Sequence, residues 1–416
     1  MQFANLKKSV LPLVLLVGFY VGASASAAPQ SAQQSAAPAA TTSVQFALAG
    51  NVAQVPIQVS GHLALVPVRV NGARPSWFLL DTTRAVSSLD DVRAVALGLV
   101  SPGSANSNST ALPNASLGFP GLKITVPTLT LGSFDDLCSR AGRVIQGILG
   151  ADVLSHFVVV INYGRQTLQL YDPKSFQYKG SGVKFQTQLA EGVPAIDGKF
   201  SVRHRGTLHG LFRIATAQPE AVRFSPSFAA AHRFSELDQK MILFSPLDSP
   251  NNFDDHLGRI QTLQFGKIAF QDPLAIFPGQ SEHPSAAASS GVAGAIGGEI
   301  LDRFTLILDY PEQFAILQPN PHFTDSFVAD MSGLVLVASP PDFRAFGVAR
   351  VIANSPAAAA GIAVGDMIEK IDGNPASEYS LSDVRAILRQ DGTEHTITVL
   401  RNGQSLEFTL KLKPLV

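Results

Sequence analysis

Cysteine is all but missing from this 416-residue chain: Cys138 stands alone, so no internal disulfide can form. A single cysteine of this kind is expected to serve as a small buried hydrophobe. Charge is also scarce, at 15% of residues with a formal net charge of -1. That excludes the basic field that nucleic-acid binding requires. Long apolar runs are confined to Val10–Val21, and no other stretch is long enough to span a membrane. The nine histidines show no metal spacing: His204 and His209 lie in a basic, strand-like "VRHRGTLHG", and His232 is expected to pack in "FAAAHRF". Nucleophile-elbow and phosphate-loop motifs are missing as well, so no metal and no cofactor is expected.

What the chain does contain begins with Lys7 and Lys8 before the apolar run, followed by "GASASAAPQ". A positive start, a short apolar core and small residues at A-x-A spacing predict a signal peptide over 1–28, cleaved after Ala25, Ala27 or Ala28. The mature protein is then exported, periplasmic or extracellular, with no membrane span. Residues 29–45 are nearly all Ala, Ser, Gln, Thr and Pro and read as a disordered linker. Beyond them, 34 glycines, 27 prolines and period-2 runs such as "LALVPVRVNG" and "HTITVLRNGQSLEFTLKL" predict a mainly β protein.

The middle of the chain repeats itself. "GILGADVLSHFVVVINYGRQTLQLYDP" from Gly147 and "GAIGGEILDRFTLILDYPEQFAILQPN" from Gly294 share Gly-x-[Leu/Ile]-Gly, a Phe and a strand ending in [Asn/Asp]-Tyr. Upstream, "FLLDTTRAVSSLDD" (78–91) aligns with "FRIATAQPEAVRFS" (212–225), setting Asp81 over Ala215 and Thr82 over Thr216. Two similar lobes are therefore expected over 46–180 and 181–325. A different texture follows over 330–416. "SPAAAAGIAVGDMIEKIDG" reads as a Pro-initiated helix, a turn and a strand, and "SLSDVRAILRQ" opens with capping-box spacing at Ser380 and Asp383.

The repeat resembles the two-lobed, retropepsin-like bacterial aspartic proteases, in which each lobe supplies an Asp-Thr-Gly loop and a following apolar-apolar-Gly segment. The tail resembles a PDZ domain of the kind appended to exported bacterial proteases. The resemblance implies duplicated acid-protease β-barrel lobes plus a small α+β PDZ domain. It also implies catalysis by paired carboxylates that share a proton, one activating water while the other donates to the peptide carbonyl. Onto this chain it carries Asp81 as the catalytic acid, with Thr82 and Thr216 bracing the two loops.

The departures fall on the chemistry. Ala215 replaces the second Asp, and Thr83 and Ala217 replace the loop glycines. The nearest downstream carboxylate is Glu220, after Pro219. The expectation is a pseudoprotease that binds peptides or proteins. The alternatives are an active endopeptidase using Asp81 through a dimer or another carboxylate, and an envelope scaffold working through its PDZ domain alone. Arg84 is a possible ionic partner for Asp81, and "NSNSTALPNASLGFPG" (106–121) reads as a polar loop where the family carries its flap. In PDZ domains a peptide adds as a strand while loop amides capture its terminal carboxylate. Here the loop would be Ser332-Gly333-Leu334, with Leu334, Leu336, Val384 and Ile387 lining a groove for peptides or protein C-termini.

Overall fold

The computed structural model describes residues 41–47, 51–101, 111–244, 255–279 and 291–416. The signal segment 1–28 and most of the predicted linker lie outside these residues. The linker ends sooner than composition predicts: Ser43–Phe46 is a strand, with Ser43 opposite Thr125 and Phe46 opposite Leu122. Phe46 anchors it edge-on against Phe157, with ring centroids 6.2 Å apart.

The protein is mainly β, with strands buried either on one face, as in the alternating Leu334–Ser339, or along nearly their whole length. In Leu63–Val70, "LALVPVRV", most side chains are buried, with Arg69 projecting to solvent. Seven short helices punctuate the described strands: α1 (Asp91–Ala96), α2 (Asp135–Ala141), α3 (Ala151–Leu154), α4 (Pro226–Ala231), α5 (Gly298–Leu301), α6 (Pro356–Ala360) and α7 (Leu381–Ile387). Among the described residues, no helix is long and apolar enough to cross a membrane.

The two Gly-x-[Leu/Ile]-Gly segments are built alike. Strand Ser76–Leu80 runs parallel to Gly147–Leu149 with Phe78 opposite Gly147, and Gly206–Ile214 runs parallel to Val292–Ile296 with Phe212 opposite Gly294. Each segment then enters a one-turn helix, α3 or α5, and a strand of a shared six-stranded sheet. In that sheet Val158–Asn162 pairs with Phe304–Asp309, and Val160 stands opposite Ile307. Val160 and Ile307 occupy the same place relative to Gly147 and Gly294, so each faces its own sequence counterpart. The sheet runs outward from this pair through hairpin partners Thr167–Tyr171 and Phe314–Pro319 to Val52–Pro56 and Val183–Gln186. One continuous core, from Val55 and Phe78 to Phe304 and Leu317, takes in residues of both halves, while Val158, Val160, Ile307 and Ile316 form a separate cluster.

The segment read as a polar flap loop differs. Ala111–Phe119 is a strand paired with Leu122–Gly132, turning at Gly121. Leu112, Ala115, Leu117 and Phe119 are buried, so the polar composition belongs to the outward face only. Residues 102–110 lie outside the described set.

The C-terminal module is a sheet ordered Leu334–Ser339, Ala345–Val351, Met367–Ile371, Glu394–Arg401, Gln404–Lys411, which places Leu334–Ser339 at an edge. Ser380 and Asp383 form the capping box at the start of α7. This module is not packed alone. Its core is continuous with Leu63, Leu65, Leu79, Phe134, Cys138 and Ile148 of the first half.

Candidate functional site

Strand Ser76–Leu80 delivers Asp81 to a tight loop whose amide is held by the Leu149 carbonyl at 3.0 Å. The Ala215 amide meets the Ile296 carbonyl at 2.9 Å in the matching position. Between the two loops the threonines interlock. Thr82 Oγ1 donates to the Ile214 carbonyl (2.5 Å) and accepts from the Thr216 amide (3.2 Å). Thr216 Oγ1 donates to the Leu80 carbonyl (2.8 Å) and accepts from the Thr82 amide (3.1 Å). Each hydroxyl thus satisfies two buried backbone groups of the opposite loop.

The site is symmetric in backbone and asymmetric in chemistry. Asp81 is 7% exposed, while the equivalent Ala215 is 3% exposed and offers only a methyl group. Asp81 Oδ1 accepts from the Thr83 amide (2.8 Å) and the Thr83 hydroxyl (2.6 Å). Thr83 avoids left-handed backbone, so the loop accommodates it where a glycine was expected. Arg84 is exposed and forms no ion pair with Asp81, its carbonyl instead accepting from Ala151. Glu220, the nearest downstream carboxylate, is paired with Arg223 at 3.0 Å. Tyr310, missed from the sequence, lies within reach of the field of Asp81: burial first, then that charge, pushes its hydroxyl upward.

A cavity of about 360 Å³ is lined by His62, Tyr163, Glu299, Asp302, Arg303 and Arg389, among others, and by no residue of the two loops. His62 Nδ1 meets Asp302 Oδ2 at 2.6 Å. Glu299 corresponds to Asp152, whose carboxylate binds the Ser87 amide (3.0 Å) and hydroxyl (2.6 Å). The counterpart of Ser87 is Ala221, which has no hydroxyl to give. Glu299 is accordingly buried, and its pKa is raised by desolvation against the opposing pull of His62, Arg389 and Arg303. No cluster of His, Cys, Asp or Glu able to hold a metal occurs among the described residues. His232 packs instead on Phe228, with ring centroids 4.2 Å apart.

In the C-terminal module, Leu334, Leu336 and Val384 are buried and Ile387 is half-buried, all in one cluster between the edge strand and α7. The intervening groove is filled by the chain itself. Helix α2 packs on strand Leu334–Ser339, and Cys138 and Ala141 join the same cluster. Arg385 donates to the Arg140 carbonyl at 2.8 Å and to the Leu336 carbonyl at 3.4 Å. Burial lowers the Arg385 pKa to about 10. At the foot of the groove, Asp330 Oδ1 accepts from the Ser332 amide (2.9 Å), the Ser332 hydroxyl (2.8 Å) and the Gly333 amide (2.7 Å). The Leu334 amide donates to Ser332 Oγ at 3.0 Å. All three amides of the expected carboxylate loop therefore have internal acceptors.

Residues 347–402 match the PDZ domain family, and the chain carries a PDZ domain. No curated protein matches the chain. Similar solved structures include the photosystem II D1 C-terminal processing protease, at 22% identity over 20% of this chain and 22% of that one, with a TM-score of 0.18. An aminopeptidase N family protein from Idiomarina loihiensis is 24% identical over 22% of this chain and 15% of its own, with a TM-score of 0.19. An HtrA-type protease solved with a decapeptide is 15% identical over 60% of this chain and 67% of its own, with a TM-score of 0.21. At such TM-scores these likenesses define no shared overall fold.

Proposed function

We propose that this chain is an exported, two-lobed, retropepsin-like pseudoprotease with a PDZ domain, which binds peptides or proteins without cleaving them. The observation that carries the reading is the reciprocal Thr82–Thr216 brace holding Asp81 opposite Ala215. The brace keeps two loops in the register that a carboxylate pair needs, and one carboxylate is gone. A lone carboxylate can accept a proton from water, but no partner donates to the carbonyl oxygen of the scissile bond. Dimerisation does not supply the missing group, because the second half already occupies the face of the Asp81 loop. A scaffold acting through the PDZ domain alone is disfavoured by the core that this domain shares with the body.

The test is digestion of casein by the mature protein from pH 3 to 7, beside Asp81→Asn and with pepstatin as a control. Neither protein is expected to cleave. Cleavage by wild type that disappears in Asp81→Asn would overturn the reading.

A further inference from the structure

The PDZ domain and the first half bury against each other the two surfaces with most to offer a ligand. One is the groove between strand Leu334–Ser339 and α7, where a peptide would add as a strand. The other is the apolar face of Leu63, Leu65, Leu79 and Ile148, which joins the PDZ residues in one cluster. Leu79 is on the strand that leads into the Asp81 loop, two residues before Asp81, and Ile148 lies directly beside it at Leu79↔Ile148. This face is the apolar wall leading to the Asp81 loop.

Two details mark α2 as an occupant of the groove rather than a chance neighbour. Its last turn abuts α7: a Cβ on Gly142 would lie 2.4 Å from Leu381 Cβ, so only glycine allows the approach. Its C-terminal carbonyl at Arg140 is gripped by Arg385, which also takes the Leu336 carbonyl on the edge strand. The carboxylate end of the groove is closed separately, by the Asp330 side chain on the Ser332 and Gly333 amides, where a peptide terminus would sit. Strand edges left open invite foreign strands, and here the edge is covered from within.

We infer that α2 is the resident ligand of the PDZ groove, and that a peptide with an apolar residue at its free C-terminus binds by displacing both α2 and the Asp330 carboxylate. That displacement uncovers the apolar wall beside Asp81 as a second docking surface. The inference deepens the proposed function and rests on it only for what the uncovered wall then binds. Apparent affinity for such a peptide is reduced by the fraction of molecules in which the groove is open. Weakening the α2 contact must therefore strengthen peptide binding, and bound peptide must weaken the α2 contact.

Cys138, the only cysteine, is 8% exposed on α2 and reports the contact. The probes are four fluorescein-labelled decapeptides differing only in the last residue, Ala, Val, Leu or Phe, each with an amidated control. Fluorescence anisotropy reads binding to the full mature chain, and the rate of maleimide coupling reads Cys138. At least one free-carboxylate probe is expected to bind, to bind about ten-fold tighter to Ala141→Glu or Arg385→Ala, and to accelerate Cys138 coupling in wild type. Binding that leaves Cys138 coupling unchanged would overturn the inference, as would no binding by wild type or by folded variants. The wild-type thiol measurement stands even where a variant fails to fold. Casein digestion is independent of all these readouts, so loss of one reading leaves the other to be judged alone.

Discussion

Thr216 shows how much a single hydroxyl carries in this molecule. It is fully buried and joins the Leu80 carbonyl to the Thr82 amide. Thr216→Val preserves shape and β-branching while leaving both backbone groups without a partner. Each unsatisfied buried group costs about 1–3 kcal/mol, so urea unfolding is expected to show a loss at the upper end of that range. A loss below about 0.5 kcal/mol, within the scatter of ordinary surface substitutions, would mean that the brace is ornamental. Glu299 makes the opposite case, a charge buried with too little to hold it. Its folded pKa is raised. The stability it contributes is therefore fully present below the ordinary carboxylate range and is lost as pH rises through the raised value. Glu299→Gln removes that loss. The Tm gain over wild type is expected to be larger at pH 8 than at pH 4, and an equal gain at both would remove ionisation as the cause.

At the level of elements, the sequence announces what its own backbone compels. Gly150 and Gly297 had to be small: a Cβ on Gly150 would lie 2.8 Å from the Arg84 carbonyl, and one on Gly297 would lie 2.3 Å from that of Glu220. Because both loops press against both segments, the Gly-x-[Leu/Ile]-Gly spacing repeats and can be read without coordinates. The capping box of α7 is legible for a similar reason, since Ser380 and Asp383 satisfy each other locally. Helix α2 was not legible. "DDLCSRA" has seven residues, an acidic first turn and too few apolar positions for a periodicity to emerge. Its buried side is defined by Leu381 and Arg385, a contact spanning 245 residues of sequence between Arg140 and Arg385. The fate of the PDZ loop amides was hidden likewise, because an Asx-type bond from Asp330 looks in sequence like any turn.

On the scale of the whole molecule, the PDZ domain is a structural half of an interface rather than an appendage. Residues 40–416 form one compact unit, and the cluster that includes Leu334, Leu336, Val384 and Leu388 also includes Phe134, Cys138, Ile145 and Ile148. Removing 330–416 would expose that apolar face in one contiguous piece, and such patches drive association. A contact with the body core would go with it, since Val416 packs there. The truncated protein is expected to bind a hydrophobic dye, to elute as larger species on gel filtration, and to couple maleimide at Cys138 far faster than the full chain. A linker cut between body and PDZ domain, without removal of either, should leave all three near wild type, because the contact is held by packing and by Arg385 rather than by covalent continuity. If the truncated chain instead stays monomeric with a slow thiol, the first half must close over its own apolar face. The PDZ domain would then be a neighbour of the Asp81 wall and not its cover.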